Sequence, residues 1–403
     1  MTMVSVEHLP PKDEMIGILS SLAGYGAATK DAVQIIDVGT APFLKYFKTE
    51  LFSDYIEKGG ATCRFFEGSA GSGKTHIIRL IENIAAEEGY IVCYIELTAN
   101  LQFSDWDQIT KTILENMYIV RNGQQIKRFP EILSAIEHSP DIHPDALQNV
   151  QLSHPSFQNA IQSAIHRSTL DMVSWEMLRR YLIGEKVLVG DFRKHGLKRI
   201  KKSVTKNNAE RVLNTVLNAI HHLGLKGTVI IFDETDRSWI SQRRPVPRKV
   251  QIAANLIRRF IDACSTGEIK GTIAIFAVLP NFIQNCADCY PALGQRLELH
   301  RDYLDAISWR WPLLTTNEAN EILNKVEDPL VQRQIFLKEA SEKFYHIVEY
   351  CGGDLTNLRP ELEQRAKQEM EQRAGEEYKR AIIKVLAESS LMRIEKMDGN
   401  QRG

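Results

Sequence analysis

The chain has 403 residues, 43% apolar and 25% charged, with a formal net charge of −1. That is the balance of an ordinary globular protein of two or three structural units, and it excludes a disordered chain or one that is basic all over, so any nucleic-acid face must be local. No run approaches the ~18 apolar residues of a membrane span. Glu7, Lys12, Asp13 and Glu14 leave no apolar core for a signal peptide, so a cytoplasmic location is expected.

Residues 1–60 read as helical, with apolar positions near the helical period from Phe43 to Ile56. Thr62-Cys63-Arg64-Phe65-Phe66 is a β-branched and aromatic run that stops at Gly68, a buried strand. Ile77 to Glu88 returns to helical spacing and is closed by Gly89. Ile91-Val92-Cys93-Tyr94-Ile95 is the next strand. A long helical and loop insertion follows at about 101–222, with Ser139-Pro140 and His154-Pro155 as connections. Thr228 to Phe232 and Thr272 to Val278 are continuous apolar strands, and Ala306-Ile307-Ser308-Trp309 is a weaker fifth. Continuous apolar strands separated by helices predict a five-stranded parallel sheet covered on both faces. From Thr315 the pattern is helical, and Pro360 to Lys384 reads as one long solvated helix rich in i,i+4 charge pairs. The expected organisation is an N-terminal helical segment at 1–60, an α/β core at 61–312 that carries the insertion, and a C-terminal helical lid at 313–403.

Gly68-Ser69-Ala70-Gly71-Ser72-Gly73-Lys74-Thr75 matches the P-loop pattern G-x-x-x-x-G-K-S/T between a strand and a helix. Glycines permit the tight path that turns successive N–H groups toward phosphate oxygens, and the helix that opens at Lys74 and Thr75, with His76 in its first turn, adds its positive end. Lys74 is placed to reach the β- and γ-phosphates of ATP, and the Thr75 hydroxyl to bind Mg²⁺. Asp233 and Glu234 end the strand at Thr228–Phe232. Asp233 is expected to hold Mg²⁺ through water, and Glu234 to orient or deprotonate the attacking water, which favours ATP hydrolysis over transfer to a small acceptor.

The strand at 272–278 follows the acidic strand, as in ATPases with an extra strand between the phosphate-loop and acidic strands. Asn281, after Pro280, is the nearest candidate for a γ-phosphate sensor, or an ordinary loop residue. Arg296 either reaches a neighbouring subunit's γ-phosphate or is an ion-paired surface arginine. Arg359 lies in the first turns of a helix after Gly352-Gly353, against the helix dipole, a placement that phosphate would explain.

Two stretches are locally basic. The first, 193–206, holds Arg193, Lys194, Lys198, Arg199, Lys201, Lys202 and Lys206 without an acid. The second, 237–259, holds Arg237, Arg243, Arg244, Arg248, Lys249, Arg258 and Arg259, with Trp239 among them. Each is either a DNA contact or else a solvated face or a protein-partner surface. Trp239 stacks a base or packs in a core or interface, the latter being the commoner fate. His221-His222 reads as packing. Cys63 and Cys93 read as buried hydrophobes. Cys286 and Cys289 form one C-x-x-C with no second ligand pair beside it, which reads as a reduced structural pair rather than a metal site.

The order of these features resembles AAA+ (ASCE) P-loop ATPases of the origin-recognition and helicase-loader branch. More narrowly it resembles the ATP-binding proteins of the BREX phage-defence system, the BrxC/BrxD family, in its smaller BrxD-type. Val38-Gly39-Thr40, Lys58-Gly59-Gly60, Arg64-Phe65-Phe66-Glu67-Gly68, Tyr181-Leu182-Ile183-Gly184-Glu185 and Leu223-Gly224-Leu225-Lys226-Gly227 carry the likeness, with Tyr290-Pro291-Ala292-Leu293 before Arg296 and Gly352-Gly353 before Arg359. It implies ATP-dependent action in antiviral defence with other system proteins, Lys74, Thr75, Asp233 and Glu234 as nucleotide residues, and Val38 and Gly39 at the adenine; a homo-oligomer on ATP binding is expected if Arg296 reaches a neighbouring subunit. The 44 residues after Arg359 are too few for the winged-helix domain of origin-recognition relatives, so duplex reading by such a domain is not expected.

Overall fold

The computed structural model describes residues 9–26, 30, 32–68, 71–98, 100–137, 139–140, 142–201, 203–235, 247–279, 285–286, 288, 290–298, 313–315, 329–372 and 378–401. The chain forms two compact units. One joins three stretches, Met1–Tyr46, Glu67–Ile81 and Leu314–Gly403; the other holds Phe47–Phe66 and Glu82–Leu313.

The larger unit is built on a mixed sheet. Its strands are β1 (Ala61–Glu67), β2 (Ile91–Glu96), β3 (Tyr118–Arg121), β4 (Gln124–Lys127), β5 (Thr228–Asp233) and β6 (Thr272–Val278), side by side in the order β4-β3-β2-β5-β6-β1. The three-residue β7 (Leu313–Thr315) extends the sheet beside β1. β5 runs parallel to both neighbours, with Glu96 opposite Asp233 on one side and Phe232 opposite Phe276 on the other. Every residue of β5 and β6 is buried, the burial expected of strands covered on both faces.

The sheet is therefore not five parallel strands. β3 pairs antiparallel with β2 and β4, inside the segment read as helix and loop. Asn122 and Gly123 join β3 to β4 with φ of 51° and 72°. Asn-Gly at positive φ is the favoured two-residue hairpin turn, a local signal that the helical reading overlooked. The strand expected at 306–309 lies outside the described residues.

Aromatic rings lock the middle of the sheet. Phe276 stacks on Phe65 at 4.7 Å and on Phe232 at 5.0 Å, and Phe103 packs edge-on against Phe232 at 5.0 Å. Such offset pairs add about 0.5–1.5 kcal/mol each beyond their buried area. The stack ties β1, β6 and β5 together a few residues before Gly68 and directly before Asp233.

Apart from the hairpin, the insertion is largely helical. Its helices include α4 (Trp106–Asn116), α5 (Phe129–Ala135), α6 (Pro155–Ile165), α7 (Met172–Leu182), α8 (Val189–Lys194) and α9 (Ala209–His222). α6 and α7 have side-chain caps: His154 Nδ1 accepts from the Phe157 N–H at 3.1 Å, and Asp171 Oδ1 from the Ser174 N–H at 2.7 Å. α10 (Arg248–Ser265) and α11 (Pro291–Glu298) flank β6 in sequence.

In the smaller unit, α1 (Lys12–Tyr25) packs with α12 (Pro329–Cys351), α13 (Leu358–Gln372) and α14 (Tyr378–Gln401) around Leu19, Leu22, Phe344, Val348, Leu362 and Leu386. The stretch expected as one helix over Pro360–Lys384 is two, and α14 turns Ile382, Leu386 and Ala387 into the core instead of solvent. Arg380 donates through Nε and Nη2 to the Tyr25 carbonyl at 3.0 and 2.7 Å, closing the open end of α1. The short α2 (Ala41–Tyr46) and the helix α3 (Lys74–Glu87) complete the elements used below. Among the described residues, no helix is long and apolar enough to cross a membrane.

Candidate nucleotide site

Gly68 follows β1 directly, and α3 opens at Lys74. The described part of the loop, Gly68 and Gly71 to Thr75, shows two different uses of glycine; Ser69 and Ala70 lie outside the described residues. A Cβ on Gly68 would collide with Ser72 Oγ, and would lie 3.2 Å from Ser72 Cβ and 3.3 Å from Lys74 Cγ. The loop folds so tightly there that a Cβ would force Ser72 to shift. Gly73 has open space around it but φ of +100°, and Gly71 has φ of +76°, backbone that L side chains rarely adopt. Lys74 Nζ donates to the Gly68 carbonyl, so the ammonium spans the loop. The opening turn of a helix carries N–H groups unused within the helix and a partial positive charge. The loop thus offers amides, one ammonium and a helix end, the donor set for a polyphosphate.

The residue after Thr75 ties this loop to its own unit. His76 Nε2 lies 3.5 Å from Asp37 Oδ1, and Thr40 Oγ1 donates to the same oxygen at 2.6 Å. Lys343 of α12 donates through Nζ to the Asp37 carbonyl, and burial holds its ammonium below the usual lysine range. Val38 packs half-buried against the helical core, and Gly39 has φ of +74°. Asp37 therefore joins the turn that holds Val38 and Gly39 to both the first turn of α3 and α12.

In the larger unit, Asp233 is the last residue of β5 and is 6% exposed. Both its oxygens are engaged. Oδ1 accepts the Glu234 N–H at 2.8 Å, and Oδ2 accepts the Tyr94 hydroxyl from β2. Glu234 has φ of +56°, a left-handed conformation that costs a non-glycine residue about 1–3 kcal/mol and that clusters at functional sites. Thr235 Oγ1 donates back to the Phe232 carbonyl at 3.2 Å and is fully buried, which helps hold the turn. The Thr75 hydroxyl and the Asp233 carboxylate are hard oxygen donors of the kind that suit Mg²⁺. Tyr94 escaped the sequence reading: on a strand it looks like one more core residue, and only the β2–β5 pairing brings it to Asp233.

Both candidate arginines are ion-paired. Arg296 Nε bonds Asp262 Oδ1 at 2.9 Å, and Asp262 also holds Arg258 at 2.6 Å. Arg359 Nη2 bonds Glu342 Oε1 at 2.7 Å, and its guanidinium lies 4.1 Å from the centre of the Tyr345 ring. An acid and an aromatic face on α12 thus answer the unfavourable helix position of Arg359. Of the second basic stretch, Arg258 and Arg259 are paired, the latter with Glu210 at 2.6 Å. Asn281, Arg237, Trp239, Arg243, Arg244 and Cys289 lie outside the described residues, and Cys286 is buried. His221 is half-buried packing whose ring a Cβ on Gly59 would approach to 3.1 Å. Among the described residues, no cluster of three or more His, Cys, Asp or Glu side chains forms a metal site.

A mixed α/β sheet with a glycine-rich strand–loop–helix unit defines a protein of P-loop NTPase-like fold. A family profile described as "BREX system ATP-binding protein BrxC/D" matches residues 11–125 and 141–387. The chain belongs to this family of ATP-binding phage-defence proteins, and the match does not separate BrxC from BrxD. Searches of curated proteins and of solved structures returned no match.

Proposed function

We propose that this chain is an AAA+ ATPase of a BREX-type defence system, binding ATP with Mg²⁺ and hydrolysing it. Gly68, Ser69, Ala70, Gly71, Ser72 and Gly73 wrap the phosphates, Lys74 neutralises them, and His76, Val38 and Gly39 lie on the nucleoside side. Thr75 and Asp233 hold the metal, which supplies charge neutralisation at the transferring phosphoryl group when bound. Glu234 takes the proton of the attacking water. The strand order supports the AAA+ assignment, because β6 separates β1 from β5. The observation that carries the hydrolytic reading is the acidic turn itself: a metal-binding carboxylate held at both oxygens, followed at once by a glutamate in a costly backbone conformation.

In this reading Arg296 acts on a neighbouring subunit's nucleotide after leaving Asp262, and Arg359 acts after leaving Glu342 and Tyr345. The protein works as a DNA-associated motor or loader with other defence proteins, touching DNA through 193–206 and 237–259. A rate of hydrolysis that rises with protein concentration is expected. The decisive measurement is phosphate release by Glu234→Gln, which should be lost while MgATP binding persists; undiminished release would remove Glu234 as the base.

A second reading, a nucleotide-dependent switch with little turnover, is favoured by the Asp37 linkage. His76, Asp37 and Lys343 connect the first turn of the phosphate-loop helix to α12 within one unit. If Glu234→Gln protects cells against phage as well as the unmodified protein does, the switch reading holds.

A further inference from the structure

The described residues of 193–206 form a surface with an unusual charge balance. Arg193, Lys198, Arg199, Lys201 and Lys206 are exposed, and none has an acidic partner among the described residues. This contrasts with Arg179, Arg180, Arg258, Arg259 and Arg296, each paired with an acid. The apolar residues of the same stretch, Leu197, Ile200 and Val204, are buried at 7%, 2% and 6% exposure. They anchor the segment and leave no apolar side chain of it to enter a lipid layer or a protein pocket. Arg199 sits at φ of +63°, a strained conformation for its type.

This segment borders a cavity of about 400 Å³. Gln148, Asn159, Gln162, Ser163 and His166 line it, with Lys198 from the basic segment. The segment is pinned to α6, the helix that contributes Asn159, Gln162 and Ser163 to that lining: Ser156 Oγ accepts the Lys201 N–H at 2.6 Å, and Asn159 Nδ2 donates to the Arg199 carbonyl at 3.4 Å. Cations and cavity are thus one surface of the larger unit. The Gln162 amide, with two donors and an acceptor, has no protein partner among the described residues.

We propose that this surface binds single-stranded nucleic acid, with backbone phosphates on Lys198, Arg199, Lys201 and their neighbours and one unpaired base in the cavity at Gln162. The chemistry divides accordingly. Unpaired exposed cations attract phosphates regardless of sequence. A cavity of a few hundred Å³ lined by amides suits a flat heterocycle with donors and acceptors on its edge. A base reaches such a recess only when it is out of a duplex stack. The inference rests on the nucleic-acid part of the proposed function and not on its ATP chemistry.

The test is fluorescence anisotropy of the full chain with a labelled 12-nucleotide DNA strand, its duplex, and an abasic strand of equal length. Five phosphate contacts predict roughly tenfold weaker strand binding as salt rises from about 100 to about 200 mM. Lys198→Glu combined with Arg199→Glu should weaken binding more than about tenfold and flatten the salt slope, with MgATP binding and the melting temperature unchanged. The abasic strand and Gln162→Leu should each cost about fivefold. Equal affinity for the normal and abasic strands overturns the cavity's role while leaving phosphate binding in place. Affinity for poly-glutamate equal to that for the strand overturns the proposal in favour of an acidic protein. Failure to bind any oligonucleotide overturns it together with the DNA reading, whatever the ATPase activity.

Discussion

The glycine loop and the acidic turn, to which the proposed function gives one ligand, are shaped by opposite means. At Gly68 to Gly73 the structure depends on side chains that are missing: one position has no room for a Cβ, another has room but the wrong φ. At Asp233 it depends on side chains that are present, with Tyr94 on one oxygen and the Glu234 amide on the other. A loop shaped by absence is specified by its own few residues. A carboxylate shaped by partners is specified by strand pairing across 139 positions of sequence. The first is hard to alter gently, whereas the second can be tuned one hydrogen bond at a time.

The largest effect that tests this contrast is expected at the acidic turn. Glu234→Gln should lower ATP hydrolysis by about 10²–10⁴-fold, with MgATP affinity within about twofold of the unmodified protein in a fluorescent-nucleotide assay. Loss of binding as well would mean that the turn shapes the site rather than the chemistry. Next are the glycines. Gly68→Ala and Gly73→Ala should each weaken ATP binding by more than about tenfold, for different reasons. Adding Ser72→Ala should recover part of the Gly68→Ala loss, because it removes the atom that a Cβ there meets first, and none of the Gly73→Ala loss. Equal rescue of both would erase the distinction between space and φ.

A smaller effect is expected at Tyr94→Phe. Freed from one partner, Asp233 should need about tenfold more Mg²⁺ to support tight nucleotide binding, while metal-free ATP affinity stays constant. A change in metal-free affinity would instead show a general loss of packing.

The smallest effect lies away from both ends of the sheet. Burial, and then Arg211, hold the His154 imidazole below its ordinary value, and its Nδ1 caps α6 as a neutral acceptor. The unfolded chain therefore takes up a proton first. The cap's stabilisation is complete above about pH 6.5 and is lost as the pH falls through the lower folded-state value. The melting temperature should drop by about 1–2 °C more in the unmodified protein than in His154→Asn between pH 7.5 and pH 5.5, since asparagine keeps a cap at every pH.

The same contrast explains what the sequence revealed. The phosphate loop, the buried strands β1, β2, β5 and β6, and the position of Asp233 and Glu234 at a strand end were all legible, because each is written in adjacent residues. Tyr94 was not, and neither were the acids that pair with Arg296 and Arg359: ion pairing was one of the two readings for Arg296, but Asp262 and Glu342 meet these arginines only after helices pack. The β3–β4 hairpin is a different failure. Its Asn122-Gly123 turn was readable, but the surrounding helical pattern outweighed four-residue strands. Whether the sheet stays parallel to its edge is a matter of neighbours, and no run of apolar residues declares it.

The smaller unit is assembled from three separated stretches, and one of its helices, α1, rests on residues 378–401. During synthesis the larger unit has nearly all its chain available long before that helix exists. The smaller unit, with which the glycine loop is counted, therefore completes its helical core only once residues 378–401 have been made. Its assembly thus waits on the later residues of the chain, whereas that of the larger unit does not.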